Sequence, residues 1–200
     1  FTDGDRAVMN ALTMRRALSY ASNFDALIVQ HALDQDLQSA GVMHEGELAT
    51  RLGLTGIPVA AETAIIDRDI RLVELTGARY HIHQISSGES VEAVRQAKAR
   101  GLAVSCGVSA AHLMLNENDV ENYRTFAKLN PPLRSEDDRL ALVDGLADGT
   151  IDIVVSGHNP QDAEAKRQPF AQAAYGTVGV ETLLSVLLSL HHAHGLDLAT

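Results

Sequence analysis

Short apolar runs alternate along this chain with longer segments in which apolar residues recur at helical spacing. Four apolar runs predict strands, at ALIVQ (26–30), ARYHIHQIS (78–86), LAVSCGV (102–108) and IDIVVS (151–156). Strands that are apolar throughout are typical of a parallel sheet whose two faces are both covered. The alternation therefore predicts an α/β fold in which helices connect parallel strands.

Helical patterns fill most of the sequence between these runs. They cover 8–21, 58–77, 86–101, 135–149 and 180–194. In the helix predicted at 58–77, Ile66, Ile70 and Val73 share one face, and Gly77 is placed to end the helix. The stretch 31–57 is polar and rich in glycine, and no element is predicted there.

Composition narrows the class of protein. The 200 residues show no internal repeat or linker, so we expect a single domain, 1–200. A net charge of −10, spread along the chain, argues against a nucleic-acid partner, which needs a basic face. No window approaches the roughly 20 apolar residues of a membrane span.

The single cysteine, Cys106, excludes an internal disulfide and suits a reducing cytoplasm. It lies in an apolar run, which predicts a buried thiol.

Polar residues follow the predicted strands where each strand ends. The first strand leads into His31, the second ends at Gln84–Ser86, and the fourth leads into Gly157 and His158. In parallel α/β folds, functional groups gather at the C-terminal ends of the strands. We therefore expect these residues to meet at one site.

Three other polar features have a simpler interpretation. Arg134 is a candidate for substrate binding or for bracing its loop, and its position before the acidic start of the helix at 135–149 favours a salt bridge there. The cluster HHAH (191–194) ends a helix, where a solvated and dipole-favoured position is expected. Ser156 lacks the G-x-S-x-G context of a nucleophile elbow, so a serine hydrolase built on Ser156 is rejected.

Several motifs resemble, in their order, a dihydroorotase of the amidohydrolase superfamily. They are FTDGD, VQHALDQDL, GVMHEGELATRLGLTGIP, ELTGARYHIHQISS, AKLNPPLRSEDDR, DGTIDIVVSGHNPQD and PFAQAAYGTVGVETLL. The resemblance covers nearly the whole chain. Asn130, before Pro-Pro, favours dihydroorotase over the related hydantoinases and allantoinases.

The resemblance implies a metal-dependent-hydrolase-type (β/α)₈ TIM barrel with zinc at its C-terminal mouth. It also implies the reversible cyclisation of carbamoyl aspartate to dihydroorotate in pyrimidine biosynthesis. Such a barrel needs about 250 residues. The family's opening His-x-His motif does not occur at the start of this chain, because the nearest such string, His81-Ile82-His83, belongs to a later strand. We therefore expect the chain to cover roughly the fourth to the eighth strand.

The first metal position resembles the family only in part. The family reads Asp-Asp-Gly, and its second Asp contacts the metals, whereas this chain reads Asp3-Gly4-Asp5. Gly4 therefore replaces a ligand, and either Asp3 or Asp5 is left as a candidate. After the fifth strand of the barrel, the family's metal-binding histidine is retained as His31.

The sixth strand of the family reads Tyr-His-x-x-His, and its second His binds metal. Gln84 stands at that position, and a neutral amide oxygen is a poor zinc ligand. The adjacent His83 is a possible substitute. Because neighbouring side chains on a strand point to opposite faces, we expect His83 to point away from the pocket.

The eighth strand of the family ends in Asp-His-Ala-Pro-His, where this chain reads GHNPQ (157–161). The family's Asp is the catalytic proton shuttle, and Gly157 has no group that could carry a proton. His158 is retained, one residue from the catalytic position. Gln161 replaces a His that helps to hold the substrate, and Asn130 is the other substrate-binding candidate.

Two functions remain open after these substitutions. The first is a non-catalytic dihydroorotase homologue that supports aspartate transcarbamoylase within an oligomer. The second is a zinc dihydroorotase with a rebuilt site that holds one metal. It would use the family's His-x-His motif, expected before the part of the barrel seen here, with His31 and either Asp3 or Asp5, and His158 or Asp162 for proton transfer. His31 is kept, whereas Gly4, Gln84 and Gly157 replace the other three of the four chelating positions that the resemblance implies for this chain, if the proton-shuttle Asp is counted among them. This loss argues against zinc and favours the first function.

Overall fold

The computed structural model describes residues 1–196. Its strands are β1 (Leu27–Gln30), β2 (Met43–His44), β3 (Gly56–Ile57), β4 (Arg79–Ile82), β5 (Val104–Ser109) and β6 (Ile153–Val155). Its α-helices are α1 (Ala11–Ser22), α2 (Gln35–Gln38), α3 (Glu47–Leu52), α4 (Ala60–Thr76), α5 (Gly88–Ala99), α6 (Ala110–Met114), α7 (Glu136–Ala147), α8 (Ala163–Lys166) and α9 (Leu183–His194). Two 3₁₀ segments, Glu117–Tyr123 and Thr125–Ala127, lie between α6 and α7.

Four strands form one parallel sheet in the order β1, β4, β5, β6, so the predicted α/β architecture is confirmed. β1 pairs with β4 so that Leu27 lies opposite Arg79. On the other side of β1, Thr2 forms a parallel bridge with Val29. Five parallel positions therefore follow one another in chain order, as expected for the fourth to the eighth strand of a barrel.

The main hydrophobic core lies between this sheet and the helices α1, α4, α5, α7 and α9. The predicted face of α4 is buried at Ile66, Ile70 and Val73. Gly77 ends this helix in the left-handed conformation, with φ of 65°. The histidines of the HHAH cluster (191–194) are exposed at the end of α9, as predicted.

The stretch before α4 differs from the sequence prediction. β2 and β3 form a separate two-stranded parallel sheet, and α2 and α3 lie beside it. A second hydrophobic core, which includes Met43, Leu133 and Phe170, joins this region to the loops after α6 and α8. Strands of two residues are too short to show a period, which is why the sequence pattern missed them.

The start of the first helix also differs from the prediction. α1 begins at Ala11 rather than at residue 8, because the Asn10 side chain caps it by accepting a 3.0 Å hydrogen bond from the Thr13 amide. Among residues 1–196, no helix combines the length and the hydrophobicity that crossing a membrane requires.

The thiol of Cys106 is expected to resist alkylation in the folded protein. Cys106 is fully buried, and its burial raises the pKa of the thiol from 9.0 to about 12. Since the thiolate is the nucleophile, iodoacetamide at pH 8 should leave the native protein unmodified and should alkylate it fully in denaturant. Mass spectrometry measures both reactions. Rapid alkylation of the native protein would contradict this burial.

Candidate functional site

The C-terminal ends of the four parallel strands open into one cavity of about 870 Å³. Its wall contains His31 after β1, His83 and Gln84 after β4, Ser109 at the end of β5, and 155–159 at the end of β6. The prediction that the polar strand ends meet at one place is therefore confirmed.

The N-terminal turn supplies a further part of this wall. Gly4 and Asp5 line the cavity, whereas Asp3 is exposed and is not among the described residues that line it. Gly4 has a φ of 72°, and a Cβ there would meet nothing within 4 Å. Of the two aspartates left open by the sequence, Asp5 is therefore the one that the structure places at the cavity.

His31 is the predicted metal ligand whose position suits a ligand best. Its side chain is 6% exposed, and its Nε2 atom is buried without a hydrogen-bond partner among the described residues. Burial lowers the pKa of His31, although the nearby Glu62 carboxylate raises it in part. The imidazole is therefore neutral at physiological pH, which is the form that can bind a metal.

The expectation that His83 points away from the cavity was wrong. β4 ends at Ile82, so the strict alternation of a strand no longer governs the two residues that follow. His83 and Gln84 both line the cavity. His81 lies within the strand, where its Nδ1 atom is 2.8 Å from the hydroxyl of Ser105.

The end of β6 brings Gly157 against the end of β5. Gly157 has a φ of 59°, and a Cβ there would lie 3.0 Å from Ser109 Cβ and 3.8 Å from Gln84 Nε2. The family's proton-shuttle position is thus at the cavity, in a left-handed turn that suits glycine.

His158 lines the cavity and also holds the following loop. Its Nδ1 atom accepts hydrogen bonds from the amides of Gly179 and Val180, at 3.2 and 3.3 Å. One ring nitrogen is therefore committed to a structural contact, a role that the sequence did not indicate.

Both predicted substrate-binding residues reach the cavity. Asn130 lines it, and the Oδ1 atom of Asn130 is buried without a hydrogen-bond partner among the described residues. Gln161 also lines it and donates a 2.9 Å hydrogen bond to Asn159 Oδ1. An acceptor oxygen and a carboxamide group are thus available to a ligand.

A buried polar network beside the cavity was not predicted. The carboxylate of Glu62 is fully buried and accepts hydrogen bonds from the Ser86 amide at 2.9 Å, from the Ser86 hydroxyl, and from Ser90 Oγ at 2.5 Å. Ser86 Oγ in turn accepts a 3.1 Å hydrogen bond from Arg134 Nε. The sequence held one indication of this network: Glu62 lies on the apolar face of α4, four residues before Ile66, where a buried carboxylate is unexpected.

The predicted salt bridge from Arg134 to the acidic start of α7 was wrong. The Arg134 guanidinium donates instead to the carbonyls of Ile57 and Pro58, at 2.6 and 3.4 Å. The acidic Asp138 is engaged in a capping box with Ser135. Arg134 therefore braces β3 and the start of α4 against the loop that carries Asn130.

The residues that this chain brings to the cavity fit only part of the zinc centre that the resemblance implies. Among residues 1–196, no group of three or more His, Cys, Asp or Glu side chains is arranged to hold a metal ion. A catalytic zinc usually has three protein ligands of these types. His31 suits that role, whereas Gly4 and Gln84 do not.

Comparisons with known proteins agree with the motifs. Residues 1–90 match a family described as "Dihydro-orotase-like". A dihydroorotase of Anaplasma phagocytophilum is 46% identical over 99% of this chain, and one of Anaeromyxobacter dehalogenans is 49% identical over 94%. The matched region is 44% of each relative, so the chain spans less than half the length of these curated proteins.

Solved structures share the fold at low identity. The L-hydantoinase of Arthrobacter aurescens superposes with a TM-score of 0.81 at 24% identity, over 98% of this chain and 45% of that one. A dihydroorotase of Saccharomyces cerevisiae in complex with 5-fluoroorotic acid gives 0.73 at 13%, over 94% and 50%. The predicted TIM-barrel fold is confirmed, and this chain forms part of such a barrel. The motifs, the matching family model and the curated relatives show that the chain belongs to the dihydroorotase family of the amidohydrolase superfamily.

Proposed function

We propose that this chain is part of a dihydroorotase-family protein that has lost catalysis and supports aspartate transcarbamoylase in de novo pyrimidine biosynthesis. One observation carries the proposal. Gly4, Gln84 and Gly157, which replace two metal ligands and the proton shuttle, converge on one cavity while the surrounding barrel packing is preserved. We place this role in the reducing cytoplasm, which suits a chain whose one cysteine is a free, buried thiol.

The chemistry of ring opening explains why these substitutions matter. Hydrolysis of a cyclic amide needs a Lewis acid on the carbonyl and a group that moves a proton between water and the leaving nitrogen. Gly157 offers no such group. The two neighbours that could replace it are engaged elsewhere: Asp162 accepts a 2.7 Å hydrogen bond from the Ala165 amide, and His158 Nδ1 holds the loop at 179–180.

A zinc dihydroorotase with a rebuilt site is the second candidate. The unpartnered Nε2 atom of His31 favours it, because a buried neutral imidazole without a partner suits a metal ligand. Asp5 at the cavity wall would be a further ligand. This candidate still requires a proton shuttle, which no residue at the Gly157 position supplies.

Metal content, turnover and assembly separate the two candidates. We expect the purified full-length protein to carry zinc far below one ion per chain, to leave dihydroorotate unhydrolysed, and to co-elute with aspartate transcarbamoylase in size-exclusion chromatography. Stoichiometric zinc with turnover that His31→Ala abolishes would instead establish the active enzyme. Failure to co-elute would refute the partner.

A further inference from the structure

The end of β5 places a serine hydroxyl against a histidine inside the cavity. We propose that Ser109 and His112 form a nucleophile–base pair that accepts an acyl group from a small activated ester, without a metal. This activity goes beyond the scaffold function proposed above. Ser109 and His112 both line the cavity and are 2% and 3% exposed.

Hydrogen bonding fixes the roles of the two ring nitrogens. His112 Nε2 lies 3.1 Å from the carbonyl oxygen of Pro131, and a carbonyl can only accept, so Nε2 carries the ring proton. His112 Nδ1 is then an acceptor, and Ser109 Oγ lies 2.7 Å from it. A hydroxyl, an imidazole base and a group that orients the base are the three parts of an activated serine.

Ser109 also caps the short helix α6. Its Oγ atom accepts a 3.3 Å hydrogen bond from the His112 amide. A hydroxyl oxygen can accept this bond and still donate its own hydrogen to Nδ1. The cap therefore holds the oxygen in place beside the base, and capping and acyl transfer are compatible.

Gly157 leaves the space in which an acyl group would bind. A Cβ at this position would lie 3.5 Å from Ser109 Oγ, so the glycine leaves the space beside the hydroxyl free of a side chain. The same point is 3.8 Å from Gln84 Nε2, which places a neutral amide donor beside the proposed acyl site. The substitutions that remove metal chemistry thus provide room and a donor for acyl transfer.

In each half of the proposed reaction, His112 takes up one proton and then gives it back, so no external acid or base is needed. Ser109 Oγ attacks the ester carbonyl carbon and forms a C–O bond, while its proton moves to His112 Nδ1. The bond to the leaving alcohol breaks, and the alcohol takes that proton. Water then attacks the acyl-serine by the same path, which releases the carboxylic acid and regenerates Ser109.

The chain contains a matched control for this pair. Ser105 Oγ lies 2.8 Å from His81 Nδ1, so it is also a serine paired with a histidine. Neither residue is among the described residues that line the cavity. Ser105→Ala should therefore leave the reaction unchanged.

The test uses the full-length protein, 4-nitrophenyl acetate and a fluorophosphonate probe. We expect a burst of nitrophenolate, a single adduct on the peptide that contains Ser109, and the same result after treatment with a chelator. Ser109→Asn keeps a capping side chain without a nucleophile and should abolish the adduct. His112→Gln should slow acylation by about 10²-fold or more.

An adduct on another residue, or equal acylation of Ser109→Asn and the wild type, would overturn the proposal. Circular dichroism of each variant shows whether it is folded. If Ser109→Asn does not fold, the position of the adduct in the wild type decides. Loss of acylation after chelation would also refute a metal-free reaction, whereas the scaffold function is judged separately by dihydroorotate turnover and co-elution.

Discussion

Replacing Glu62 by leucine is expected to lower the free energy of unfolding by about 3–5 kcal/mol. The Glu62 carboxylate is fully buried, and removing it leaves the Ser86 hydroxyl without its acceptor and leaves Ser90 Oγ with only Ser87 Oγ as a side-chain partner. It also leaves the guanidinium of Arg134, which is 2% exposed, with less compensating charge. Burial lowers the pKa of Arg134, and the nearby Glu62 carboxylate offsets part of that effect.

Glu92→Leu is the matched control for this change. Glu92 is an exposed glutamate on α5 that contacts Arg95 and Gln96, and its replacement should leave the unfolding midpoint nearly unchanged. Urea unfolding followed by circular dichroism measures both variants. Equal midpoints for Glu62→Leu and Glu92→Leu would show that the buried network contributes no more than a surface contact.

The same network supports a coupling test. In the double variant Glu62→Leu with Arg134→Met, neither charge remains buried alone. Its loss of stability should therefore be smaller than the sum of the two single losses. Additive losses would show that Glu62 and Arg134 stabilise the fold independently.

The sequence predicted the sheet because its strands are long enough and apolar enough to stand out between helices. The same pattern identified the buried face of α4, where Ile66 and Val73 follow helical spacing. The pattern did not predict β2 and β3, because each of these strands has only two residues, too few to show a periodic pattern. β2 packs through Met43 in a core that includes the distant Phe170, and Ile57 of β3 packs with Leu33 and Ala61, so these contacts cannot be inferred from the local sequence.

The sequence predicted those site residues that follow the C-terminal end of a parallel strand. His31, Gln84 and Gly157 reach the cavity because each follows a parallel strand on the same edge of the sheet. His83 was misplaced because the strand stops one residue before it. Arg134 was misplaced because the choice between a carboxylate and two backbone carbonyls depends on tertiary packing.

Restoring the metal ligands is expected to require more than one substitution. Gly157→Asp alone should give no dihydroorotate turnover, since Gly4 and Gln84 remain. It should also cost about 1–2 kcal/mol, because its φ of 59° is left-handed and its Cβ would lie 3.0 Å from Ser109 Cβ. Gly4→Asp is the matched control. Gly4 also has a left-handed φ, of 72°, but a Cβ there would meet nothing within 4 Å, so this substitution should destabilise the fold less.

The triple variant Gly4→Asp, Gln84→His and Gly157→Asp should behave differently. With His31 it supplies two further ligands of the types that zinc prefers, and three protein ligands are enough for one catalytic zinc. We expect the full-length triple variant to retain about one zinc per chain after dialysis, and His31→Ala in that background to remove it. Elemental analysis measures both. A large gain of turnover from Gly157→Asp alone, or a triple variant that binds no zinc, would show that these positions do not correspond to the family's metal site.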